Sequence, residues 1–232
     1  MHDQLVLSSV EYQILTVTFN RPHKLNSLNP ELLKELTTTF DTNHGNSEIR
    51  CVVLRGAGGK AFSAGFDISR IGEQGLFHEV TLSDPYLEAK TAIANFPHPV
   101  IAMVEGYCIG GGLEIAVACD IRIGSENAML GITPAKLGLA YAPKAIEMFV
   151  DLIGPAYTKE LFFTGRLITG TRAQNMGLIN IATPTSLIID TTYEMADQIA
   201  KNAPISILGT KRNVNKLGGS KHLSQKDKKE LE

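Results

Sequence analysis

Apolar, β-branched runs alternate with helix-periodic segments along most of this chain, and that alternation confines it to an α/β core. Residues 12–19 read as a strand stopped by Arg21-Pro22-His23. Residues 30–40 read as a helix, because Leu32, Leu33, Leu36 and Phe40 recur at helical spacing behind Pro30. Residues 49–54 form a strand-like run apolar enough to be buried on both faces, and the glycines from Gly56 to Gly59 end it. Helical periodicity returns over 85–96, where Pro97 and Pro99 stop it ahead of a strand at 100–104. Gly110, Gly111 and Gly112 lead into an apolar run at 113–118. Further strands are expected at 120–123, 128–132 and 178–181, with helices at 142–152, 156–163 and 171–176. Past Pro184 only helices remain, over 187–200 and 204–217, parted by Asn202-Ala203-Pro204. The chain therefore divides into a core, residues 1–184, and a smaller helical region, 185–232.

Charge and composition then narrow the function. Twenty-two Lys and Arg against 24 Asp and Glu give a net charge of −2, which supplies no field to draw the chain to nucleic acid or a membrane surface. The uncharged apolar stretch 99–104 falls far short of the roughly 18 residues that a membrane span needs. The first ten residues lack a basic cluster before an apolar core, so a secretory signal is not indicated and a soluble, cytoplasmic protein is expected. Cys51, Cys108 and Cys119 are embedded in apolar runs with no Cys-x-x-Cys spacing, and read as small buried residues rather than a disulfide framework or metal site. The six histidines are scattered. From Lys211 onward seven basic residues outnumber three acidic ones, as in a solvated tail.

Several catalytic signals fail on spacing. Gly56-Ala57-Gly58-Gly59-Lys60-Ala61 is too short for a phosphate-binding loop, and Ala61 stands where a magnesium-binding hydroxyl belongs. No Gly-x-Ser-x-Gly, His-Glu-x-x-His or post-strand Gly-x-Gly-x-x-Gly occurs. Two glycine-marked turns remain. In Ala61-Phe62-Ser63-Ala64-Gly65-Phe66-Asp67-Ile68, Gly65 permits a tight turn and Asp67 can accept backbone N–H groups. In the run 106–114, three glycines strip side chains from the start of a helix, whose bare N–H groups suit a developing oxyanion. Each alone is also consistent with close backbone packing; converging, they make a two-donor hole. Glu114, three residues past Gly111, falls near the same helix face, either to serve a ligand or simply to complement the helix dipole.

On Asn20-Arg21-Pro22-His23-Lys24-Leu25-Asn26-Ser27-Leu28, Phe62 through Asp67, Glu105 through Glu114 and Lys136-Leu137-Gly138-Leu139, the chain resembles the crotonase superfamily, the enoyl-CoA hydratase/isomerase group, over about residues 4–217. The resemblance implies an α/β fold built as a spiral of ββα units with a C-terminal helical region that continues further in most members. It implies homotrimers or dimers of trimers, and acyl-CoA thioester substrates whose CoA moiety is part of the substrate, with no separate cofactor. It places an oxyanion hole at the backbone N–H groups of Phe66 and Gly111, and the CoA moiety along Lys24, Leu25, Ala64, Asp67 and Ile68.

One departure from the family pattern bears on the reaction. Hydratases of the family carry a second glutamate twenty residues beyond the one matched by Glu114, and here that position is Pro134. Proline cannot titrate, which argues against water addition by a glutamate pair. The stretch from Ile132 to Tyr141, with Glu48-Ile49-Arg50-Cys51 and Thr158-Lys159-Glu160-Leu161, is similar to the methylmalonyl-CoA decarboxylase branch. There a tyrosine at the place of Tyr141 hydrogen-bonds the substrate carboxylate, and a histidine stands where this chain has Phe66. The expected activity is thioester decarboxylation through an enolate, with hydration or isomerisation by Glu114 alone, or acyl-CoA binding without turnover, as the alternatives.

Overall fold

The computed structural model describes residues 4–67 and 84–218. Among these residues ten strands form two sheets. β1 (Val6–Glu11) and β2 (Ile14–Phe19) make an antiparallel hairpin whose turn residues, Tyr12 and Gln13, both take positive φ. β2 then pairs in parallel with β3 (Cys51–Gly56), β3 with β5 (Val100–Val104), β5 with β7 (Ile121–Ser125), and β7 with β10 (Ile181–Thr183). The second sheet has the order β4 (Ala61–Ser63), β6 (Tyr107–Ile109), β8 (Met129–Gly131) and β9 (Ile168–Thr169).

Read along the chain, β3-β4, β5-β6 and β7-β8 each place one strand in the first sheet and the next in the second. Helices close the turns: α1 (Pro30–Asn43), α2 (Asp84–Asn95), α3 (Gly111–Ala118), the short α4 (Pro134–Leu137), α5 (Pro143–Thr164) and α6 (Gly170–Asn175). This is the expected spiral of ββα units. Its main core joins the first sheet's Leu15, Val17, Val52 and Leu54 to Leu32, Leu36 and Phe40 of α1, all essentially inaccessible. The opposite face of that sheet, carrying Cys51, Val53, Ile101, Met103 and Ile123, is covered by Ile188 and Ala196 of α7 (Ile188–Lys201). α8 (Pro204–Gly218) is fixed by Lys211, whose Nζ lies 2.7 Å from Asp120 and 3.1 Å from the His98 carbonyl. No helix among the described residues is long and apolar enough to cross a membrane.

The differences from the sequence reading have local causes. The strand expected at 178–181 starts only at Ile181, because the N–H groups of Leu178 and Ile179 turn back to the Ala173 carbonyl at the end of α6. Residues 12 and 13 are the hairpin turn rather than the strand expected from 12–19. β1 gave no apolar alternation because five of its six residues are exposed on an edge. β4 and β6, three residues each, are too short to show a period. The helices expected at 142–152 and 156–163 both form, and meet at Gly154 and Pro155, where Gly154 leaves helical geometry. All three cysteines are buried, and desolvation pushes the Cys51 and Cys119 thiols up to about 12.

The Arg21–Leu28 segment is pinned by Asn26, which is inaccessible and left-handed at φ 54°, a conformation that asparagine tolerates better than most residues. Its Oδ1 accepts from Arg21 N at 3.0 Å, and its Nδ2 donates to Ala57 O at 3.0 Å and Ala61 O at 2.7 Å. Asn26→Ala strands all three partners, so a loss of about 2–4 kcal/mol in unfolding free energy is expected, readable by urea titration.

Candidate active site

The two glycine turns meet. β4 pairs in parallel with β6, Ala61 opposite Tyr107 and Ser63 opposite Cys108, so the chain leaves both strands at the same end and the turns that follow lie side by side. Gly65 takes φ 88°; a methyl group there would stand 2.8 Å from the Ile109 carbonyl oxygen and 3.6 Å from Gly111 N. A methyl on Gly112 would come within 2.6 Å of the Ser63 carbonyl oxygen. Backbone packs on backbone at this point, and only glycine allows the approach.

Phe66 bridges Leu28: Leu28 N donates to Gly65 O at 2.7 Å and Asp67 N donates to Leu28 O at 2.9 Å, which turns the Phe66 N–H to the other side. Gly111 is the first residue of α3, where no intrahelical acceptor exists. Neither N–H has an acceptor among the described residues. The Phe66 ring lies over Gly111, its Cε2 being 2.7 Å from where a Gly111 Cβ would sit, and contacts the Tyr86 ring edge-on at 4.7 Å between centroids.

Glu114, one helical turn further along α3, has a side chain only 3% exposed, yet it is not isolated. Lys90 of α2 places Nζ 3.0 Å from Glu114 Oε2 and 4.8 Å from the centre of the Tyr86 ring. The Tyr86 hydroxyl donates to the Gly111 carbonyl at 3.2 Å. Tyr141, in the segment between α4 and α5, packs edge-on against Phe162 at 5.2 Å and directs its hydroxyl to Glu114. Burial first, then the Glu114 charge, pushes both the Tyr86 and Tyr141 phenols well above their ordinary value, so both stay protonated donors at neutral pH. Pro134 is buried at the start of α4, reached from β8 just past the point where Gly110 N donates to Gly131 O at 2.9 Å. Position 134 itself offers a ring without a titratable group.

Among the residues expected to meet CoA, the structure joins Leu25 to Ala64 through a 3.0 Å bond from Ala64 N to Leu25 O, next to an exposed Lys24. The Asp67 carboxylate is 2.9 Å from Arg21 Nη2, and Arg21 Nη1 continues to the Ser27 carbonyl at 2.6 Å, so the pair clamps the loop that carries Phe66. Ile68 lies outside the described residues. Among the described residues no group of three or more His, Cys, Asp or Glu is placed to hold a metal ion.

A family model for enoyl-CoA hydratase/isomerase matches residues 9–230. The chain belongs to that family. It is 35% identical over 211 residues to a short-chain-enoyl-CoA hydratase of Clostridium acetobutylicum, covering 91% of this chain and 81% of that protein. It is 32% identical over 207 residues to methylmalonyl-CoA decarboxylase of Escherichia coli, covering 89% and 78%. The crystal structure of an enoyl-CoA hydratase from Bacillus anthracis superposes with a TM-score of 0.87 at 32% identity, over 98% of this chain and 89% of that one. The chain is therefore a crotonase-family acyl-CoA enzyme, with the crotonase fold.

Sequence reasoning missed Tyr86 and Lys90. The available signal was their placement on α2: Tyr86, Ala89 and Ile93 are its buried positions, and Lys90 falls one turn after Tyr86 on that side. The two raised phenols make a testable statement about pH. Below the ordinary tyrosine value of 10.0 both folded and unfolded chains hold these protons; above it only the unfolded chain releases them, so stability falls as pH rises past about 10. Thermal melts across that range should show a shallower decline for Tyr86→Phe/Tyr141→Phe than for the parent.

Proposed function

We propose that this enzyme decarboxylates a methylmalonyl-type CoA thioester through an enolate held by the backbone N–H groups of Phe66 and Gly111. The observation that carries the reading is the pairing of a protonated Tyr141 phenol beside Glu114, which itself lies one helical turn from Gly111, with a proline at the place of a second catalytic acid. Decarboxylation needs the bond between Cα and the carboxyl carbon held perpendicular to the thioester plane. That bond breaks, CO2 departs, and its electron pair enters the thioester carbonyl, whose oxygen becomes the anion. Cα then takes a proton from water. Donors already fixed where that charge develops lower the barrier, because they need no reorganisation. A neutral phenol orients the substrate carboxylate without stabilising its ground-state charge as strongly as a cation would.

In this reading Phe66, Gly111, Glu114 and Tyr141 form the reacting end. Lys24, Leu25, Ala64 and Ile68 carry the CoA moiety, and Asp67 acts through Arg21 to hold the loop. The reaction as written uses no cofactor apart from the CoA of the substrate. Hydration or isomerisation by Glu114 alone is the second reading, favoured by the name of the Clostridium relative; Pro134 weighs against it.

Purified enzyme incubated separately with methylmalonyl-CoA and crotonyl-CoA, and read by mass spectrometry, decides between them. Loss of CO2 from the first with crotonyl-CoA unchanged is expected; hydration of crotonyl-CoA alone, or no conversion of either, overturns the proposal. Tyr141→Phe keeps the ring contact with Phe162 and deletes one hydrogen bond to a charged group. It should therefore cost about 1.5–3 kcal/mol in kcat/KM for decarboxylation.

A further inference from the structure

Lys90 is unusual for a lysine on a surface helix. Lysine stems ordinarily lie along apolar surface with the ammonium in water. Here the side chain is 17% exposed and the ammonium points inward, onto a carboxylate that is itself 3% exposed. Desolvating two charges is costly, and such a pair seldom repays its cost through stability alone. The location gives the cost a purpose: Glu114 sits one helical turn from the Gly111 N–H, with the Tyr86 and Tyr141 hydroxyls on the same side. An unpaired Glu114 would face any anionic acyl group brought to that N–H with a like charge across a poorly solvated gap.

We infer that Lys90 is a specificity-determining positioning residue: by pairing with Glu114 it cancels that carboxylate's charge, and so lets the acyl pocket accept a carboxylate-bearing acyl group. The inference deepens the decarboxylase reading and rests on it for the choice of substrate class. It also accounts for the lysine being tied to Glu114 rather than free. A free ammonium beside the substrate carboxylate would stabilise the ground state that decarboxylation must leave, and would slow the reaction. Tied, it supplies neutrality without becoming the carboxylate's partner, a role left to the Tyr141 phenol.

The test compares methylmalonyl-CoA with its uncharged isostere isobutyryl-CoA. Affinity is read as KM where turnover occurs and as a calorimetric Kd otherwise. Lys90→Met should weaken methylmalonyl-CoA roughly 10- to 100-fold while moving isobutyryl-CoA less than about threefold. Lys90→Met/Glu114→Gln, which removes both charges, should return the ratio of the two affinities to within about threefold of the parent. Equal weakening of both ligands by Lys90→Met, or a double variant that keeps the single variant's ratio, overturns the inference.

Glu114→Gln keeps the informative lysine even if Lys90→Met fails to fold. It frees the ammonium, so kcat and KM for methylmalonyl-CoA should fall together; an unchanged KM overturns the inference. If the parent enzyme converts no methylmalonyl-CoA but the calorimetric ratios follow Lys90 as stated, the reaction is wrong and the charge-neutralising role stands. If it decarboxylates and the ratios ignore Lys90, the role falls alone.

Discussion

The close approach of two stretches of backbone, Gly65-Phe66 and Gly110 to Gly112, is the constraint on which the rest of this structure depends. A single β-carbon at Gly65 would stand 2.8 Å from the Ile109 carbonyl oxygen, and one at Gly112 would stand 2.6 Å from that of Ser63. Such separations are shorter than carbon and oxygen tolerate, so the register of β4 against β6 and the start of α3 are set together. The consequence is chemical. Two N–H groups, at Phe66 and Gly111, are left beside each other without acceptors among the described residues, and the cost of leaving them so is met by the packing around them.

The supports of this arrangement are polar ties buried at the loops' far ends. Asn26 joins the Arg21–Leu28 segment to Ala57 and Ala61, the Arg21–Asp67 pair fixes the residue after Phe66, and Arg122 donates to the Cys119 carbonyl at 2.7 Å and the Leu178 carbonyl at 2.9 Å, steadying the C-terminal end of α3. These are hydrogen bonds to groups that would otherwise be buried unpaired, where removing one partner costs more than the bond itself contributes. Lys90 and Glu114 differ from them. Under the proposed function their pair lies at the acyl end of the site, and its value is in the charge presented to a ligand.

How much of this was legible in the sequence follows from the range of the interactions. α1 and α2 announced themselves through apolar spacing, because their buried faces repeat within a few residues, and α7 and α8 through the helix-stopping Asn202-Ala203-Pro204 between them. The two glycine turns were legible because glycine marks backbone conformations that other residues avoid. Their convergence was not, since it comes from pairing between β4 and β6, strands of three residues more than forty positions apart in the chain. Lys90 and Tyr86 escaped for a related reason: on α2 they look like ordinary helix residues, and only the docking of α2 on α3 turns them toward Glu114. Pro134 was legible as a missing acid only by resemblance, since nothing local to it shows what it replaces.

The central claim is that the Phe66 and Gly111 N–H groups receive the thioester oxygen. A crystal structure of the enzyme with bound propionyl-CoA tests it most directly. The account places the thioester carbonyl oxygen at about 2.7–3.1 Å from both nitrogens, with the acyl chain directed toward Glu114 and Tyr141. A thioester oxygen bound by neither nitrogen, with the acyl chain lodged elsewhere, would contradict it.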